Sequence, residues 1–132
     1  MEKGSRTPPK TGDAPVAVIA LPADLVFAAR IRAAAEAAGV RAEICRSTAD
    51  FEAAAERSPE ALVLLDLDAR RADVPDLIRR LRAGGGRHRI VAFGSHVGAE
   101  RLAAARDAGA DRVMARSGFV RELPLLLVLP ER

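Results

Sequence analysis

The chain has 132 residues and a formal net charge of +3, with 49% hydrophobic and 30% charged residues. This length suits one domain with a substantial core, and the composition argues against wholesale disorder. Its only lysines, Lys3 and Lys10, lie in the first fourteen residues, which excludes a Schiff-base, P-loop or general-base lysine from the rest of the chain.

The N-terminal part is rich in proline, glycine and charge. Residues 1–15 contain three prolines, at positions 8, 9 and 15, and few apolar side chains. This composition predicts a flexible tail over residues 1–15, followed by a folded domain over residues 16–132. The domain opens with the continuous apolar run Val16–Leu21, which is typical of a strand buried on both faces.

Strand and helix signals alternate after this run. The segment 24–38 has apolar residues at helical spacing and ends before Gly39, a typical helix C-cap. Further strands are predicted over 41–45, 62–67, 90–93 and 112–115, and further helices over 49–57, 75–82, 97–108 and 118–127. We also expect Ser47 or Thr48 to cap the second helix, Asp73 and Pro75 to open the third, and Pro124 to lie in the first turns of the last or to kink it.

Five β–α units with short connections predict a single α/β domain. Its architecture is three-layered and doubly wound, with a parallel five-stranded sheet and right-handed crossovers. Such a sheet binds ligands at the carboxyl ends of its strands. The loops after Leu21, Leu65, Phe93 and Ala115 are therefore where we look for a functional site.

Two acidic residues leave the predicted central strand. Asp66 and Asp68 follow the apolar run at 62–65. A carboxylate in this position can bind a metal ion or attack a phosphoryl group to form an acyl phosphate. The alternative is structural, with Asp66 hydrogen-bonded to its own loop and Asp68 acting as a cap or solvated.

Four segments in consistent order and spacing resemble the receiver domains of two-component response regulators, and the resemblance extends over about residues 16–127. The segments are EAAGV at 36–40, PEALVLLDL at 59–67, IVAFGSH at 90–96 and GADRVMAR at 109–116. This similarity implies a flavodoxin-like fold with Asp66 at the phosphoacceptor position. It also implies that Gly94, Ser95 and Arg116 occupy the switch and phosphate-contact positions.

Several side chains that receiver chemistry requires are missing or replaced in this sequence. Receivers hold Mg²⁺ with an acidic pair after the first strand, but no acid occurs between Asp13 and Asp24. Asp66 and Asp24 are therefore only weak metal candidates. The conserved hydroxyl of the family falls on Gly94, with Ser95 one place later, and its lysine falls on Arg116, which is bulkier and planar.

These departures favour a degenerate receiver, or pseudo-receiver. We expect a non-enzymatic signalling protein that acts by protein–protein interaction, with phosphorylation lost or reduced and no cofactor. Arg116 is expected to pair directly with Asp66. One alternative is a single-domain response regulator that is phosphorylated on Asp66 with Mg²⁺. Another is a small-ligand or nucleotide-binding domain at the strand ends, which the lack of a glycine-rich first loop disfavours.

The resemblance also implies a partner surface in the last third of the chain, for another protein or for a second copy in a homodimer. Its candidate residues are Arg101, Arg106, Arg112, Leu125 and Leu126. For the apolar tail at 123–129 two alternatives stay open: it closes the core, or a residual apolar patch on it meets another chain. The basic run at 79–89 is interpreted as a solvated helix end rather than a nucleic-acid site, because the chain has no Trp or Tyr to stack on bases.

Several function classes are disfavoured by what the sequence lacks. No apolar run approaches the ~20 residues that cross a membrane, so no membrane association is expected. Cys45 is the only cysteine, which excludes an internal disulfide and suits a cytoplasmic location. Cys45 itself is interpreted as a small buried residue, and His96 as part of a surface loop.

Overall fold

A computed structural model describes residues 15–95 and 99–128. Strands and helices alternate through these residues. The strands are β1 (Val16–Leu21), β2 (Arg41–Ile44), β3 (Leu62–Asp66), β4 (Arg89–Gly94) and β5 (Arg112–Ala115). The helices are α1 (Leu25–Ala38), α2 (Thr48–Arg57), α3 (Val74–Ala83), α4 (Ala99–Ala108) and α5 (Arg116–Leu126).

All the strand pairs are parallel, in one five-stranded sheet of order β2-β1-β3-β4-β5. The chain thus winds outward in both directions from the β1–β3 pair, and the predicted flavodoxin-like α/β fold is confirmed. In the register, Leu21 pairs with Leu65, Asp66 with Phe93, and Gly94 with Ala115. The ends of four strands are therefore brought to one edge of the sheet.

Each face of the sheet has its own hydrophobic core, because successive strand residues point to opposite faces. Leu62 and Leu64 of β3 pack with α1 and α5, whereas Val63 and Leu65 pack with α2 and α3. Every residue of β3 is buried, as expected for a strand covered by helices on both sides.

Helix capping follows the sequence closely. Asp24, Ser47 and Asp73 each accept a hydrogen bond from the backbone N–H three residues later, at 2.9, 3.0 and 3.1 Å. Gly39 ends α1 with φ = 72°, a conformation that glycine adopts without steric cost. The predicted N-caps of α2 and α3 and the end of α1 are confirmed, and both helices begin one residue before the predicted positions 49 and 75.

Helix α5 differs most from the prediction. It begins at Arg116, two residues earlier than expected, and Pro124 lies near its C-terminal end rather than in its first turns. The predicted tail up to residue 14, the start of the fourth helix at Val97, and the His96 loop lie outside the described residues. None of the helices in the described ranges is long and apolar enough to cross a membrane.

Candidate functional site

Asp66 ends β3 at the carboxyl edge of the sheet and is fully buried, with 0% exposure. Its Oδ1 accepts a hydrogen bond from the Asp68 N–H at 3.0 Å. Its Oδ2 accepts from the Ala23 N–H at 2.9 Å and from the Arg116 guanidinium at 2.7 Å. Both oxygens of this carboxylate are thus occupied by donors from the chain itself.

Arg116 is the central cation of the site. As the first residue of α5, it follows β5 directly and reaches across to β3. Its guanidinium lies 2.7 Å from Asp66, 3.4 Å from Asp68 and 3.7 Å from Asp24. Because a buried carboxylate is costly unless paired, Arg116 supplies the charge that Asp66 requires. The predicted Asp66–Arg116 contact is present.

An aromatic cluster packs against the guanidinium of Arg116. The guanidinium carbon lies 4.0 Å from the ring centroid of Phe27, a favourable cation–π distance. Phe27 in turn stacks on Phe93 and Phe119, with centroids 5.6 and 6.2 Å away. The ring and Asp66 together fix the guanidinium in position.

Asp68 extends this network toward α4, so the structural alternative in which it only caps or is solvated does not hold, whereas Asp66 does accept a hydrogen bond from its own loop. Its Oδ1 lies 2.9 Å from the Arg101 guanidinium, and its Oδ2 accepts from the Ser95 N–H at 3.1 Å. Arg101 also donates to the Leu67 carbonyl at 2.9 Å. Asp66 and Asp68 therefore bind two arginines from different elements.

The two predicted switch positions lie beside this network. Gly94 is buried at the end of β4, where a Cβ would approach the Leu67 side chain to 3.1 Å. The close approach explains why a residue with a side chain is disfavoured here. Ser95 follows it, and its backbone N–H is held by Asp68.

The donor set around Asp66 does not suit Mg²⁺. Mg²⁺ requires several oxygen ligands in octahedral geometry, whereas Asp66 faces two backbone N–H groups and a guanidinium. The loop after β1 contributes the Ala23 N–H and no acid. Asp24 caps α1 through its Oδ1 instead. Within the described ranges, no group of three His, Cys, Asp or Glu residues could hold a metal ion.

Comparison with known proteins identifies the fold to which this geometry belongs. No protein-family model matches the chain, and no curated protein matches it. Solved structures do match the chain. A response regulator from Thermotoga maritima superposes with a TM-score of 0.71 at 16% identity, covering 86% of this chain and 95% of that one. The chain has the receiver-domain fold.

Two further receiver-fold structures are informative. A signal receiver domain from Bermanella marisrubri has a TM-score of 0.72 at 22% identity, covering 85% of this chain and 97% of that one. An atypical orphan response regulator, described as having a phosphorylation-independent regulatory mechanism, has a TM-score of 0.66 at 16% identity, covering 87% and 98%. Asp66 and Arg116 lie at the carboxyl edge of the sheet, where ligands bind in doubly wound folds.

The predicted partner surface is only partly a free surface. Leu126 is 2% exposed and packs in the core beneath α5, so its assignment to the surface is wrong, whereas Leu125 is 72% exposed. Adjacent residues of a helix point in different directions, and the register of α5 turns Leu126 inward. Arg112 pairs with Glu122 at 2.9 Å, and Arg106 is exposed.

The interpretation of the run at 79–89 as solvated is also wrong for two residues. Arg82 donates to the Gly109 carbonyl at 3.0 Å, to the His88 carbonyl at 2.8 Å and to Asp111 at 2.7 Å. His88 is buried, and its Nε2 lies 3.0 Å from the Ala55 carbonyl. The density of positive charge along the sequence obscured these structural roles.

The roles of Phe27, Arg101 and the Ala23 N–H at the site were not predicted from the sequence. Phe27 has a helical core spacing, which predicts its burial but not the arginine above it. Arg101 and Asp68 are 33 positions apart in the numbering, and only the parallel order of β3 and β4 brings them together. The one sequence signal for the role of Arg101 was its position near the start of a predicted helix that follows a strand-end loop.

Proposed function

We propose that this chain is a receiver-like signalling module that acts by binding a protein partner, without phosphorylation of Asp66 and without catalysing a reaction. A cytoplasmic location is part of the proposal. The observation that carries it is the direct contact between Arg116 and Asp66, at 2.7 Å. In this arrangement the chain's own cation occupies the approach to the carboxylate.

Physical chemistry explains why this contact disfavours phosphorylation. A nucleophilic carboxylate must be accessible and needs cations to stabilise the incoming phosphoryl group. Asp66 is fully buried, and the oxygen nearest the cation also accepts the Ala23 N–H. Arginine keeps its charge in proteins, so the cation that contacts Asp66 is a permanent one.

The phosphorylatable response regulator is the competing function. It requires Arg116 to leave Asp66 and a magnesium ion to enter a site without a second acid from the β1 loop. The likeness to an orphan regulator described as phosphorylation-independent supports the first proposal by analogy of fold alone.

The deciding experiment titrates the protein with Mg²⁺ and beryllofluoride, a phosphoryl mimic, while backbone amide shifts are followed by NMR. We expect no saturable shift at Asp66, Ser95 or Arg116. The Asp66→Asn variant, in which the carboxylate is absent, defines the background produced by the salts. Saturable shifts in the unaltered protein that vanish in Asp66→Asn would overturn the proposal and favour the phosphorylatable regulator.

A further inference from the structure

Helix α1 carries apolar side chains on the side that faces away from the sheet as well as on the side that packs against it. The buried residues are Phe27, Ala28, Ile31 and Ala35. Four exposed residues also follow one another at three- and four-residue steps, so they form an outward stripe along the helix. They are Val26, Ala29, Ala33 and Ala37. A helix that is apolar on both sides is typical of one that is covered on both.

The large apolar side chains that are exposed lie on the same layer of the domain. In the described ranges they are Leu25 at 74%, Val26 at 65%, Leu125 at 72% and Val128 at 69%. The first two belong to α1, and the last two lie at or just beyond the end of α5. These two helices share one hydrophobic core on one side of the sheet. Since exposed apolar side chains gathered on one face mark an interaction surface, we look for a partner on the layer of α1 and α5.

Two residues of opposite charge flank the outward stripe. Arg32 and Glu36 are one turn apart, so they lie on the same side of the stripe. Both are exposed, and neither has an ion-pair partner within the part of the chain that the structure describes. The cation is nearer the start of α1 and the anion is nearer its end. This flank therefore carries positive and then negative charge along the direction of the helix.

This order of charges is complementary to itself when two copies of α1 run in opposite directions. With a two-fold axis beside Ala33, Arg32 of each copy lies within one turn of Glu36 of the other, on the same flank of the interface. The two ion pairs are equivalent, as an isologous interface requires. A parallel pair of helices would instead bring each residue level with its own copy, and like charges disfavour such a contact.

The size of the outward side chains suits a close but small contact. In the antiparallel order, Ala29 of one copy is level with Ala37 of the other, and Val26 is level with Val40. Alanine loses no side-chain entropy when it is covered, so these residues let the two helices pack closely. The 14 residues of α1 make a helix only about 21 Å long. One such helix buries less than the roughly 800 Å² per partner of a standard interface, which predicts weak association.

We propose that the outward stripe of α1 is the interface of a weak homodimer, in which α1 packs antiparallel on α1 of a second copy across a two-fold axis beside Ala33. Charge identifies the occupant, because a second copy of this chain completes two ion pairs between Arg32 and Glu36. The expected dissociation constant is on the order of 100 μM. The interface is centred on α1 and excludes the Asp66–Arg116 pair, so it goes beyond the function proposed above, and either can fail without the other.

Sedimentation equilibrium of the full chain, at concentrations up to about 1 mM, tests the proposal. The unaltered protein is expected to dimerise reversibly. Arg32→Glu and Glu36→Arg, each alone, place like charges at both ion pairs and are expected to weaken dimerisation about tenfold. An equimolar mixture of the two variants is expected to associate again, because the glutamates of one then face the arginines of the other. A monomer at all concentrations, or a mixture that associates no better than its components, would overturn the proposal.

A matched control and a second measurement locate the interface. Arg79→Glu makes the same change of charge at an exposed position of α3 and should dimerise like the unaltered protein. NMR spectra at low and high protein concentration are expected to differ at the backbone amides of Ala29 and Ala33. An equal loss of dimerisation in Arg79→Glu and Arg32→Glu, or concentration-dependent shifts confined to α4 and β5, would contradict the proposed interface.

Discussion

At the scale of single residues, the site is organised by one arginine. The guanidinium of Arg116 is planar and has five donors, so it can bind Asp66, approach two further carboxylates and stack on Phe27 at once. A lysine ammonium is a compact point charge without a stacking face. The absence of lysine from this part of the chain is thus matched by a geometry that uses arginine-specific contacts.

At Asp24, the contribution of helix capping to stability can be measured separately from the contribution of its charge. Its Oδ1 caps α1, whereas its Oδ2 lies 3.7 Å from Arg116 with the side chain about half exposed. Asp24→Asn retains the cap and is expected to cost less than ~0.5 kcal/mol, while Asp24→Ala should cost about 1 kcal/mol. Urea unfolding measures both. If the two variants were equally destabilised, the ion pair rather than the cap would be the main contribution of Asp24.

The sequence predicts some of these residue contacts and not others. The hydrogen bonds of Asp24, Ser47 and Asp73 are local, and a capping residue three positions before its donor is visible in the sequence. The Asp66–Arg116 contact was accessible only through the resemblance that placed both residues at strand ends. The Asp68–Arg101 pair was not, because a long-range ion pair leaves no periodic pattern.

At the scale of elements, α3, β4 and the α4–β5 loop are joined by one side chain. Arg82 donates to the carbonyls of His88 and Gly109 and to the carboxylate of Asp111. Asp111 also accepts from the Ile90 N–H at 2.7 Å. Helix α4 has little apolar anchorage of its own, since Ala105 is its one buried residue among those described. Such polar contacts therefore hold this side of the domain.

Arg82→Met is expected to lower the free energy of unfolding by about 2 kcal/mol, because it leaves a carboxylate and two carbonyls without their charged donor. The partial exposure of Arg82, 32%, keeps the cost below that of a fully buried pair. Arg79→Met, on the same helix but exposed, should change stability by less than ~0.5 kcal/mol. If urea unfolding showed similar losses of unfolding free energy in both variants, the structural role assigned to Arg82 would be contradicted.

At the scale of the whole molecule, the fold was predictable because it rests on repeated patterns. The apolar runs of β1 and β3 and the helical spacing of α1 indicated a doubly wound sheet before any contact was known. Leu126 shows what such patterns do not predict. A continuous apolar run, as at 125–129, gives no inward or outward phase, so its burial could be decided only once α5 was placed on the sheet.

The core also determines the chemistry of Cys45. Burial raises the pKa of the Cys45 thiol to about 11 from 9.0, and the nearby carboxylates of Glu43 and Asp50 contribute in the same direction. The native state thus keeps its proton at a pH where the unfolded chain has lost it. By linkage, stability falls as pH rises from the unfolded pKa toward the folded one.

Cys45→Ala provides the test of this pH dependence. Between pH 9 and 10.5, the unaltered protein is expected to lose unfolding free energy more steeply than Cys45→Ala, by at most about 1.4 kcal/mol per pH unit. Lys3, Lys10 and the N-terminal amine are present in both proteins and cancel in the difference. Parallel pH profiles for the two proteins would contradict the raised pKa.

The central claim is that Arg116 and Asp66 form an energetically coupled pair, and a double-mutant cycle measures this directly. Asp66→Asn, Arg116→Met and the double variant are compared with the unaltered protein by urea unfolding. Methionine retains an apolar side chain above Phe27 but lacks the charge. We predict a coupling of about 2 kcal/mol, as for a charged hydrogen bond. A coupling below ~0.5 kcal/mol would show that the two residues act independently and would contradict the account.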